Sequence, residues 1–173
     1  MKKGFAILGL LLFAAAFAQV TNLTEFKDSI KKNKAEAKTS IKPYLYDGYK
    51  TTYFNYKTYK QTKEVEIYLF NNTEYRLALN GKSCLKDITV RVFNESKNAA
   101  DRVMLKEITD VKGSNVLIQS SDLNTAYKTA TSSKTNLKRV FVEYEIPATP
   151  GANNANPTIE HRGALVLVMG YKN

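Results

Sequence analysis

From residue 64 onward, apolar side chains recur at every second position, and this period limits the fold more than any other feature of the chain. "EVEIYLF" sets Val65, Ile67 and Leu69 on one face. "EYRLALN" does the same with Tyr75, Leu77 and Leu79, and "DITVRVF" with Ile88, Val90 and Val92. "RVFVEYEIP" places Val140, Val142, Tyr144 and Ile146 on one face and Arg139, Glu143 and Glu145 on the other. "VMLKEI" and "NVLIQS" are shorter candidates. Alternation of this kind marks strands with one buried and one solvated face. "GALVLVMGYK" departs from it, because Ala164 to Met169 are apolar on both faces, so this strand needs cover on both sides. Seven or eight short strands separated by polar turns predict a mainly β protein: a single β-sandwich, jelly-roll or Greek-key in style.

Register tests the first pair. A two-residue Asn71-Asn72 loop would set Ile67 opposite Arg76 and mix the faces. A three-residue loop matches Ile67 with Leu77, so the pattern favours the longer loop or strands that part into two sheets. Two polar stretches, 124–138 and 148–160, read as long loops.

The period before the strands is helical. Leu23, Phe26, Ile30, Ala37 and Ile41 follow a 3–4 spacing, with a gap at Asn33 and Lys34, and predict an amphipathic helix over residues 22–42. Asn22 and Glu25 suit a capping box, and Pro43 ends the run. One narrow apolar stripe must dock, either on its own domain or on a partner, since an isolated helix of this length is marginal in water.

The chain opens with Lys2 and Lys3, an apolar run over residues 4–17, and Ala16-Phe17-Ala18. This is the pattern of a secretory signal peptide cleaved after Ala18. The division expected is a signal peptide at 1–18, a helical arm at 19–48 and a sandwich at 49–173, exported to the periplasm or beyond, with no transmembrane segment after cleavage. A single cysteine, Cys84, allows no disulfide within the chain, and burial as a small hydrophobe is its expected role.

The net charge is +10, and most of the excess lies early: residues 19–63 hold ten lysines and four acids. That asymmetry suits an anionic partner. Catalytic signals are thin. His161 is the only histidine, and neither it nor Cys84 lies in a turn that frames a nucleophile. Glu64 with Glu66, and Glu143 with Glu145, share strand faces and leave a small glycoside hydrolase as a remote alternative. No metal or cofactor is called for.

Residues 49–60, "YKTTYFNYKTYK", carry the remaining signal. Tyr49, Lys50, Tyr53, Tyr56, Lys57, Tyr59 and Lys60 are the candidate ligand-binding residues, since aromatic rings beside cations can stack on a chain ligand. The competing expectation is that some of these rings cover the sheet while lysine heads reach water.

Residues 74–94 resemble bacterial pre-peptidase C-terminal-type β-sandwich domains. Tyr75, Arg76, Leu77, Leu79, Gly81, Asp87, Ile88, Val90, Val92, Phe93 and Asn94 fill that family's strand–turn–strand pattern. The resemblance implies a non-catalytic accessory sandwich. The expected function is therefore a binding or assembly module of the bacterial cell envelope. Its partner is an envelope protein or, alternatively, an anionic or carbohydrate polymer, and not nucleic acid.

Overall fold

The structure is a computed structural model that describes residues 23–71, 73–152, 154–155 and 161–173; the expected signal peptide and the Asn22 cap lie outside them. Residues 23–40 form helix α1. Eight strands and a second helix follow: β1 (Leu45–Asn55), β2 (Gln61–Tyr68), β3 (Glu74–Ser83), β4 (Thr89–Phe93), β5 (Met104–Ile108), β6 (Asn115–Gln119), α2 (Ser120–Thr131), β7 (Arg139–Ile146) and β8 (Arg162–Lys172). The strands make two four-stranded antiparallel sheets. Sheet A runs β1-β8-β3-β6, and sheet B runs β2-β7-β4-β5. The expected β-sandwich with an N-terminal amphipathic helix is therefore present.

The alternating residues meet between the sheets. Ile67, Leu69, Tyr75, Leu77, Leu79, Val90, Val92, Val140, Val142, Tyr144 and Ile146 all belong to one buried cluster. β2 and β3 do not form a hairpin; they part into the two sheets, β2 pairing with β7 and β3 with β8 and β6. β8 lies between β1 and β3, which explains its two apolar faces. Leu165 and Leu167 point to the core between the sheets, while Ala164, Val166 and Val168 point outward.

α1 docks on that outward face. Ile30, Ala37 and Ile41 pack on Ala78, Ala164, Val166 and Val168, with Phe26 at the margin. The gap in the apolar stripe is filled by a polar latch. Asn33 is buried, and its Nδ2 donates to Ser83 Oγ at 2.7 Å. Small residues let the helix sit close: a Cβ at Gly170 would come within 2.7 Å of Ile41 Cδ1. Glu36 adds an ion pair to Lys82 at 2.6 Å, and Asn115 donates to Ser40 Oγ at 2.6 Å. α1 thus packs on sheet A, and the first strand begins at Leu45 rather than at residue 49.

The stretch 124–138 corrects the sequence expectation of a loop, since α2 occupies its first half. Its apolar residues, Leu123, Ala126, Tyr127 and Ala130, keep helical spacing, but only Leu123 is fully buried and the two alanines make the stripe weak. Ser120 Oγ ties its start to β3 by accepting from the Tyr75 N–H at 2.8 Å, and Ser132 ends it in a left-handed conformation. No helix among the described residues is long and apolar enough to cross a membrane.

Candidate functional site

The Tyr/Lys segment does not form one cluster. Side chains alternate along β1, so Phe54 faces the core, while Tyr49, Thr51 and Tyr53 stand beside Val168, Val166 and Ala164 on the helix side. An irregularity between Tyr46 and Gly48 keeps Tyr46 on this same side, opposite Gly170. Tyr56 corrects the expected binding set. It is 1% exposed, packs edge-on against Phe54 at 5.3 Å, and its hydroxyl accepts from the Leu85 and Lys86 N–H groups. It therefore holds the 84–86 turn against the core and cannot meet a ligand.

The rest of the segment diverges. Lys57 donates to the Tyr59 hydroxyl at 3.0 Å within the turn that crosses between sheets. Lys60 reaches Glu145 at 3.3 Å on sheet B. Lys50 is exposed on β1 but, by alternation, points away from the side of Tyr49 and Thr51.

Tyr46 and Tyr49 do meet other cations, those of α1, and Tyr53 shares the groove with them. The helix and β1 run in opposite senses, so their residues match in order. Lys38 Nζ lies 4.4 Å from the Tyr46 ring centroid, and Lys34 Nζ lies 3.3 Å from that of Tyr49. Lys27, Ile30, Lys31, Lys34, Tyr49, Thr51 and Tyr53 line a groove of about 570 Å³. Tyr49 is 46% exposed and Tyr53 58% exposed, so the rings stand open along a floor extended by Thr51. Lys27, Lys31, Lys34 and Lys38 follow one helix face and span about 16 Å at 1.5 Å per residue. Asp28 offsets part of this charge, at 3.0 Å from Lys31. The lysines were absent from the sequence-derived site. Their signal was the 4-3-4 spacing of one cation row beside the apolar stripe.

Sheet B offers a different surface. Glu64 and Glu143 are register partners, and Arg102 bridges both at 2.9 Å. Arg91 joins Glu107 at 2.6 Å and Glu145 at 2.8 Å, and Arg139 joins Glu66 and Glu95. The Arg91 guanidinium beside Glu145 holds that carboxyl below its ordinary range, the opposite of what a general acid needs. Cys84 is buried, its thiol facing the Ala164 carbonyl at 3.5 Å, and burial pushes its pKa up to about 12. At neutral pH it stays a protonated thiol rather than a nucleophile.

No model of a protein family matches the chain, and no curated protein matches it. Among solved structures it is similar to the crystal structure of PirA, at 7% identity and a TM-score of 0.35, over 70% of this chain and 93% of that one. A likeness at that level carries no argument about fold or function.

Proposed function

We propose that this protein is an exported, non-catalytic binding module of the cell envelope, and that the groove between α1 and β1 takes an anionic partner. One observation carries the reading: a row of lysines on α1 hangs over open tyrosines on β1. The apolar stripe of α1 is committed to its own sheet, so the helix offers a partner its lysine face. Cations fixed along one wall attract negative charge, and an exposed ring such as Tyr53 adds a flat apolar contact. The buried, protonated Cys84 and the arginine-bound glutamates support a non-catalytic role.

The test uses the chain from residue 19 onward, polyglutamate and dextran sulfate as probes, and a salt series. Affinity should fall as salt rises. Changing Lys27, Lys31 and Lys34 together to Gln should weaken binding at least about tenfold and flatten the salt dependence. Undiminished binding by that triple variant would remove the groove from the function.

A further inference from the structure

The groove floor is also the edge of a sheet. Among the described residues β1 pairs on one side only, with β8. Which backbone groups face the open side follows from two contacts just past and at the strand's end. The Tyr56 N–H donates to the His161 carbonyl at 2.7 Å, toward β8. The Asn55 carbonyl instead accepts from Gln61 Nε2 at 2.8 Å. Backbone groups alternate edges with the same period of two as the side chains. Phe54, Thr52 and Lys50 therefore aim theirs at β8, and Tyr53, Thr51 and Tyr49 aim theirs at the open edge. The residues whose side chains floor the groove are the ones with backbone donors and acceptors to offer.

An open edge strand of 11 residues is a template for pairing with another strand. A second copy of this chain is a poor occupant. Antiparallel pairing of two β1 edges in one continuous sheet would bring two α1 lysine rows together on the same face, and like charges so placed repel. An acidic strand has the opposite sign. Every second side chain of such a strand would lie on the α1 side, beneath Lys27, Lys31 and Lys34.

We propose that the open edge of β1 takes an extended acidic peptide as a fifth strand of sheet A, its carboxylates under the α1 lysines. This deepens the anion-binding reading above and rests on it. Backbone pairing would supply affinity, and the lysine roof would select carboxylates at alternate positions. The pairs within sheet A are antiparallel, and an antiparallel addition is expected to follow them. In that geometry the peptide residues facing α1 are also those that bond to β1.

The experiment titrates a fluorescein-labelled octapeptide of alternating Glu and Thr against the chain from residue 19 onward. Two isomers accompany it, one N-methylated at the glutamates and one at the threonines. The glutamate isomer should lose at least about tenfold in affinity, because its methyl groups fall on the pairing N–H groups. The threonine isomer should stay within about twofold of the parent, since its N–H groups face water. Equal affinity of the two isomers, or binding of dextran sulfate without binding of the peptide, would overturn strand addition and leave the anion-binding reading standing. Failure of the peptide, polyglutamate and dextran sulfate alike would overturn both. On the protein side, Thr51→Pro removes one open-edge donor without touching the β8 ladder. It should keep the melting transition and weaken the parent peptide about tenfold; unchanged affinity in the folded variant counts against the proposal.

Discussion

Sheet A hides its outer face beneath α1, whereas sheet B covers its outer face with arginine–glutamate pairs. The two solutions demand different sequences. Under the helix, β8 is apolar on both sides and narrows to Ala164 and Gly170 where the helix comes close. On sheet B, β7 alternates, with Val140, Val142 and Tyr144 inward and Arg139, Glu143 and Glu145 outward; Phe141, covered by Arg139, is the apolar exception on the outer face. The difference also decides where a ligand can sit. A helix about 10 Å across covers roughly two strands spaced about 4.8 Å apart. α1 sits over β8 and β3, so the edge strands protrude on either flank, exposing Tyr49 and Tyr53 on β1 and Leu117 on β6. The groove is a consequence of covering a four-strand sheet with one helix. Sheet B has no such roof, and its charges are already engaged with each other.

The strongest way to break this contrast is to loosen the roof. Ile41 is buried between α1 and sheet A, against Gly170. Ile41→Ala should cost about 2–5 kcal/mol in urea unfolding, by lost transfer energy plus the cavity left behind. A loss below about 1 kcal/mol would mean that the helix is a loosely held arm, which chain cleavage by a protease between residues 23 and 44 would then confirm.

On sheet B the expected cost is smaller and has a different origin. Arg102→Met leaves Glu64 and Glu143 facing each other as register partners, both largely shielded. Removal of a shared cation from such a pair should destabilise by about 1–3 kcal/mol, discounted from the fully buried case for partial exposure. Adding Glu64→Gln and Glu143→Gln to the same chain should recover most of it. If the triple variant is as unstable as the single one, Arg102 acts through its stacking on Phe93, at 3.4 Å, rather than through charge.

How far these faces could be read from the sequence follows from the same physics. A period of two identifies which side of a strand is buried, and it did so for β2, β3, β4 and β7 but not for β1, where Tyr and Lys fall on both faces. It carries no information on partners, so β2 and β3 remained undecided between a hairpin and two sheets. β8 was legible because nothing but cover on both faces explains an unbroken apolar run. α2 was missed although Leu123, Ala126, Tyr127 and Ala130 keep helical spacing, because half of that stripe is alanine set among Ser, Thr, Asn and Lys, and the helix is anchored by Leu123 and the Ser120 bond to β3. The site was half legible. Tyr49 and Tyr53 lie in the groove, but Tyr56 shares their spacing class only until the strand's parity is fixed. The lysines that face them come from α1, about twenty residues earlier in the sequence, and only docking brings them together.

A third difference between the faces is in their response to acid. Glu145 has its pKa lowered, chiefly by its bond to Arg91 and then by Lys60. The unfolded chain therefore takes up this proton first as pH falls. Its contribution is complete above the ordinary carboxyl value of about 4.3 and disappears as pH falls through the depressed folded value. Glu145→Gln should flatten that part of the acid limb by less than about 1 kcal/mol, the scale of a surface pair. Parallel acid limbs for the two proteins would show that Arg91 draws its support from Glu107 instead.

The smallest expected effect on stability separates site from cover. Tyr53 is more than half exposed and lies on the groove floor, so Tyr53→Ala should shift unfolding by less than about 0.5 kcal/mol. Tyr56→Ala, three residues on, removes a fully buried ring and should cost about 3–5 kcal/mol. The two substitutions delete the same side chain from the same segment, so the gap between them measures burial together with the two hydrogen bonds that the Tyr56 hydroxyl accepts. Binding should behave in the reverse order: the folded Tyr53→Ala protein should lose affinity for polyglutamate, while residual folded Tyr56→Ala, under stabilising conditions, should keep it. Should Tyr53→Ala instead destabilise as Tyr56→Ala does, the tyrosines of β1 would belong to the cover of sheet A, and the lysines opposite them would be fastening the helix to its edge.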